Sequence, residues 1–105
     1  MYQYTIDSVQ QVVSGDTLVL KLDLGFRLTA QVEVTLSNAK TERYGSIGQQ
    51  ARIFTEEFLK PEHGPFVVQV SKDRKDNYEA QIFAADGTDL GDGLVESKLG
   101  EPVGS

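Results

Sequence analysis

The chain has no cysteine and no tryptophan, and only three prolines, one histidine and one methionine in 105 residues. Without thiols it can form neither disulfides nor thiolate metal sites. No apolar run approaches the ~20 residues that a membrane-spanning helix needs. The N-terminal Met1-Tyr2-Gln3-Tyr4-Thr5 lacks both the basic region and the apolar region of a secretory leader, so a cytoplasmic protein is the expectation. Positive charge is also scarce: ten Lys and Arg against sixteen Asp and Glu leave a formal net charge of −6. Nucleic-acid affinity comes largely from neutralising phosphates, and this chain is poorly charged for that task.

The length fits one domain with a single core. Tyr2, Tyr4 and Ile6 alternate with polar residues, and Val9, Val12 and Val13 carry the pattern on, which predicts a first strand bent or bulged near Gln10-Gln11. Ser14-Gly15-Asp16 reads as a tight turn, with Gly15 free to take a positive φ. Leu18, Leu20, Leu22 and Leu24 alternate through a second strand. Gly25-Phe26-Arg27 turns the chain, and Ala30, Val32, Val34 and Leu36 mark a third strand. Residues 37–45 read as a polar loop. Ser46 with Gln49 is a capping-box pattern, and Ile47, Ala51, Phe54 and Phe58 recur at helical spacing until Pro61 stops the helix. Residues 65–70 and 78–85 form a fourth and a fifth strand. A short C-terminal helix follows over Leu90, Leu94, Val95 and Leu99, capped by Thr88 or Asp89 and ended by Gly100. The pattern is mainly β with short helices (α+β). It suggests a five-stranded OB-fold, a Greek-key barrel, with one helix between strands 3 and 4 and one short C-terminal helix. The domain spans 1–101, with 102–105 as a tail.

Ser14-Gly15-Asp16-Thr17 before an apolar strand resembles the first hairpin of the staphylococcal-nuclease-like (thermonuclease) domains, where it reads Asp-Gly-Asp-Thr. Four further stretches fall in that family's order: residues 22–26, the helix segment 50–59, Asp76-Asn77-Tyr78 with Ala85-Asp86-Gly87, and residues 94–102. The last of these is similar to the family's Leu-Val-x-x-Gly-Leu-Ala-x-Pro. The resemblance implies the same five-stranded barrel.

Active members of that family hold calcium with two aspartates, place a glutamate as general base and stabilise the phosphorane with two arginines. Asp16 matches the first aspartate and is the one metal-ligand candidate. In the family's Arg-x-x-x-x-Asp-x-Pro-Glu, Glu33 stands at the arginine, Asn38 at the second aspartate, Lys40 at the proline and Thr41 at the base. A slip by one would put Glu42 at the base, with Arg27 or Arg43 nearby, but would restore neither arginine. The second arginine's place, after Asp76-Asn77-Tyr78-Glu79, is Ala80. Losing one charge donor costs roughly 10²–10³ in rate, and losing a general base about 10²–10⁴. No family-type hydrolysis is therefore expected, and no cofactor, with calcium binding weak or absent because Asn38 is neutral.

Asp16, Glu33 and Asp76 stand at strand ends, where carboxylates either converge on a cation or are solvated; solvation is the expectation. His63 falls in a loop with no partner type beside it. Residues 71–76 read as a solvated hairpin tip. Tyr78 matches a nucleotide-contacting tyrosine of the family and equally suits packing. The expected function is a catalytically inactive, macromolecule-binding domain of bacterial or phage setting. Its partner is expected to be a protein, met by an acidic face of Glu33, Glu42, Asp76 and Glu79 beside Asp16. The alternatives are a nucleic-acid binder without cleavage and a residual divalent-metal-dependent nuclease.

Overall fold

A computed structural model describes residues 2–74 and 77–103. Among these residues seven strands and two α-helices are formed: β1 (Tyr2–Ser14), β2 (Thr17–Gly25), β3 (Leu28–Leu36), β4 (Ala39–Thr41), α1 (Gly45–Phe58), β5 (Val67–Arg74), β6 (Asn77–Phe83), α2 (Leu90–Glu96) and β7 (Gly100–Pro102). Five strands close a barrel in the order β1-β2-β3-β6-β5, so the molecule is mainly β with two helices. All neighbours in the barrel are antiparallel except β3 and β6.

The alternation of apolar residues fixes which side of each strand faces inward. Leu18, Leu20 and Leu22 of β2, Val34 and Leu36 of β3, Val68 and Val70 of β5, and Ala80 and Ile82 of β6 are buried together. The expected irregularity in β1 is present as a register shift between Val9 and Gln11, with one more on each side of it. These shifts bend a long strand around the barrel.

Several local expectations are corrected. Gly15 does not take a positive φ; its constraint is room. A Cβ there would lie 2.8 Å from Ala51 Cβ and 3.0 Å from Thr41 Cγ2. The primed geometry belongs instead to the β2–β3 turn, where Phe26 (φ 54°) and Arg27 (φ 63°) both occupy the left-handed region. That costs an L residue other than glycine about 1–2 kcal/mol. Ser46 does not cap α1: the helix starts one residue earlier at Gly45, and no side chain caps it. The polar loop 37–45 contains β4, which pairs with β7 across more than half the chain, a contact without local periodicity. Asp89 is the cap of α2, accepting from Asp92 N. Gly100 does not end α2. Lys98 does so at φ 60°, with Leu99 N donating to Leu94 O at 2.9 Å and Lys98 N to Val95 O at 3.0 Å, a Schellman closure. β7 then carries pairing across the 101/102 boundary as far as Pro102.

One end of the barrel is plugged. Ala51 and Thr55 of α1 are fully buried against the β1–β2 turn, and Thr55 Oγ1 donates to Gly15 O at 2.7 Å. The other end, where β2 turns into β3, is an open apolar mouth of about 380 Å³ walled by Tyr4, Leu22, Ala30, Val32, Val70 and Tyr78. Among the described residues no helix is long and apolar enough to cross a membrane.

Thr55→Val keeps the side-chain shape but leaves the buried Gly15 carbonyl without its donor. An unsatisfied buried acceptor costs about 1–3 kcal/mol, so urea unfolding is expected to show a lower midpoint with an unchanged slope, whereas Glu56→Ala on the exposed side leaves the midpoint nearly unmoved.

Candidate functional site

Asp16 sits at the head of β2, nine-tenths buried. Its Oδ1 accepts from Ser14 Oγ at 2.7 Å and from Thr17 Oγ1 at 3.2 Å. Its Oδ2 accepts from the Thr41 amide at 3.4 Å, and its backbone carbonyl accepts from Leu36 N at 2.8 Å. A carboxylate has about four lone-pair positions, and three here meet donors from this chain. The arrangement ties the β1–β2 turn to β3 and β4. The Thr41 amide can only donate, so it competes with any cation for Oδ2.

Asn38, in the link between β3 and β4, faces α2. Its Nδ2 donates to Asp89 Oδ1 at 3.0 Å and to Asp92 Oδ1 at 3.3 Å. Asp89 also accepts from Gln81 Nε2 at 2.9 Å. Gly91 leaves the space that Asn38 fills, since a Cβ there would collide with the Asn38 amide. Asp16 and Asn38 are thus hydrogen-bonded to different parts of the fold. Among the described residues, Asn38 Oδ1 and Thr41 Oγ1 are buried without a hydrogen-bond partner.

Glu33 is exposed on β3, opposite Val19 of β2. Its neighbours Val34 and Leu36 point inward, so Glu33 and Thr35 share the outer face. Glu79 of β6 stands opposite Thr35 and is half-buried, which makes Glu33 and Glu79 diagonal neighbours on that face. Tyr78, one residue earlier, is on the inner side, packed against the core and walling the open mouth. Ala80 is fully buried. Glu42 follows β4 and lines a separate groove of about 340 Å³ with Lys40, Thr41, Ile47 and Lys98. Asp76 lies outside the described residues. The fold therefore brings Glu33 and Glu79 together and places Glu42 elsewhere. Among the described residues no three His, Asp, Glu or Cys side chains gather in a metal-binding cluster.

His63 lies in a 3₁₀ turn, Pro61–His63. Its Nδ1 donates to Phe58 O at 3.1 Å. Asp86 lines the same shallow groove as His63. Hydrogen bonds from Thr88 hold the Asp86 carboxyl below the usual range, and His63 adds a smaller electrostatic contribution.

Sequence reading missed two features. The Asn38–Asp89–Gln81 network joins residues far apart in the chain, and no motif marks it. The β2–β3 turn carries Phe26, 97% exposed, between Leu24 at 45% and Leu28 at 60%. The available signal was an aromatic in a turn that favours Asn, Asp or Gly. No family model matches the chain, and no curated protein does.

Asp16→Ala removes a buried acceptor from two hydroxyls and an amide. Hydrogen bonds to a charged group are worth about 1.5–3 kcal/mol, so a loss of roughly 2 kcal/mol or more is expected in chemical denaturation. Glu33→Ala, on the exposed outer face, is expected to stay within about 0.5 kcal/mol.

Proposed function

We propose that the chain is a thermonuclease-like OB barrel of Greek-key topology, without catalytic activity, that binds a protein partner. The observation that carries this reading is the outer face of β3 and β6, where Glu33 and Glu79 stand as diagonal neighbours. In the resemblance Glu33 takes the place of a phosphate-binding arginine. The exposed carboxylate of Glu33 disfavours a phosphate backbone and suits a basic protein surface, with association that weakens as salt screens the charge, while Glu79 also stands opposite Lys72 of β5. Asp16 supports the non-catalytic half of the reading: its oxygens accept three donors from the chain itself. Asn38, at the second aspartate's place, is hydrogen-bonded to Asp89 and Asp92. A cytoplasmic setting in a bacterium or phage-infected cell goes with the proposal.

Two assays separate the alternatives. Purified protein with calcium is expected to leave DNA and RNA intact and to give no calorimetric heat in the micromolar range; calcium-dependent hydrolysis abolished by Asp16→Ala would establish a nuclease instead. At low salt the unaltered protein is expected to bind neither single-stranded nor duplex DNA, while Glu33→Arg with Glu79→Gly gains measurable binding. Micromolar DNA affinity in the unaltered protein would favour the nucleic-acid reading.

A further inference from the structure

The first turn of α1 is bare of the groups that ordinarily satisfy it. Its N-cap, Tyr44, offers no side-chain cap, and no acidic residue stands in the turn. The first amides of a helix have no acceptor within it, and among the described residues none outside it accepts from Gly45, Ser46 or Ile47. The turn borders the groove of about 340 Å³ that Ile47 lines with Lys40, Thr41 and Lys98. Gly48 holds the two together: a Cβ there would lie 2.9 Å from Arg43 C and 3.0 Å from Glu42 O, so the chain leaving β4 lies directly on the helix end. Lys40 and Lys98 are exposed, and among the described residues neither forms an ion pair, although Glu42 and Glu101 line the same groove. Thr41 is the buried member of the lining, 8% exposed, and its Oγ1 has no partner. A hydroxyl in that state is normally met by something.

We infer that this groove binds a small phosphomonoester, its phosphate held by the free amides of α1 and by Lys40 and Lys98, with the Thr41 hydroxyl as the donor at the floor. An uncapped helix start presents amide donors and the positive end of the helix dipole to an oxyanion, and each lysine adds a charge-assisted hydrogen bond. The groove is larger than a phosphate group alone, so an organic body enters with it. Ile47 and Leu99 give that body apolar contact, and Glu42 and Glu101 accept from its hydroxyl or ammonium groups. The two carboxylates thus select a monoester that carries such donors over a bare anion. The Asp16 carboxylate beside Thr41 is already met by donors from Ser14, Thr17 and Thr41. The net charge of −6 acts on a small ligand mainly from beyond the screening length of about 8 Å at physiological salt, which leaves the decision to the groups in contact.

Titration of the full chain with glucose 6-phosphate, followed by amide shifts in proton–nitrogen correlation spectra, is expected to move Gly45, Ser46 and Ile47 saturably, with a Kd of about 1 mM or tighter. Inorganic phosphate is expected to bind the same amides more weakly, and glucose to leave them unmoved. Lys40→Gln with Lys98→Asn should weaken binding by about tenfold or more; Asn suits the φ of 60° at position 98, so the fold is kept. Ser46→Asp puts a carboxylate in the first turn, where it favours the helix and excludes the phosphate. Its expected signature is binding lost while the thermal midpoint holds or rises, which unfolding cannot mimic. Thr41→Val should weaken binding without loss of stability, because the hydroxyl it removes is unpartnered in the free protein. Lys60→Gln, beyond the far end of α1 and paired with Glu57, should leave the affinity unchanged. The proposal is overturned by the absence of a saturable shift at the helix start, or by an affinity indifferent to the lysine pair or to Ser46→Asp. Inorganic phosphate binding as tightly as the monoester would overturn it too.

Discussion

The structure depends on a close approach of backbone to helix at Gly15. With no side chain there, α1 comes down on the β1–β2 turn until Ala51 and Thr55 are fully buried. The Thr55 hydroxyl then satisfies a turn carbonyl that the helix has cut off from water. The same approach leaves Asp16 nine-tenths buried, which explains why its carboxylate is surrounded by donors. A buried charge is stable only when hydrogen-bonded, and Ser14, Thr17 and Thr41 provide those bonds. Plugging one end of the barrel with a helix leaves the opposite end without a cover.

The barrel strands were legible because a two-residue alternation is written locally. Leu18, Leu20 and Leu22 announce an inner face in any chain that buries them. Where the reading failed, the deciding contact was distant. β4 exists because Gly100–Pro102 comes back to pair with it, and nothing within residues 37–45 signals that return. The capping-box pattern at Ser46 lost to a helix that begins a residue earlier, and Gly100 lost to Lys98 because a Schellman closure had already formed.

The candidate site was legible as residue types and not as geometry. Asp16 and Asn38 can be matched to a pair of ligands on paper, but only the fold reveals that Asn38 hydrogen-bonds Asp89 and Asp92 beside α2 while Asp16 is tied to Thr41. Glu33 and Glu79 lie far apart in the chain and become neighbours through the parallel pairing of β3 with β6. Phe26 was visible as a residue of the turn, yet only the fold reveals that nothing packs on its ring.

The parallel pairing has a kinetic side. β1, β2 and β3 are joined by two-residue turns and can form as a local meander. Closing the barrel must instead unite Val34 with Tyr78 and Tyr2 with Val70. Loop-closure entropy opposes both contacts before any burial rewards them, which gives the chain a high relative contact order and places its folding among the slower, millisecond-to-second class of small domains. Until that closure the inner faces of the three-stranded meander have no cover, so this interval is when the chain is most open to association with other unfinished copies.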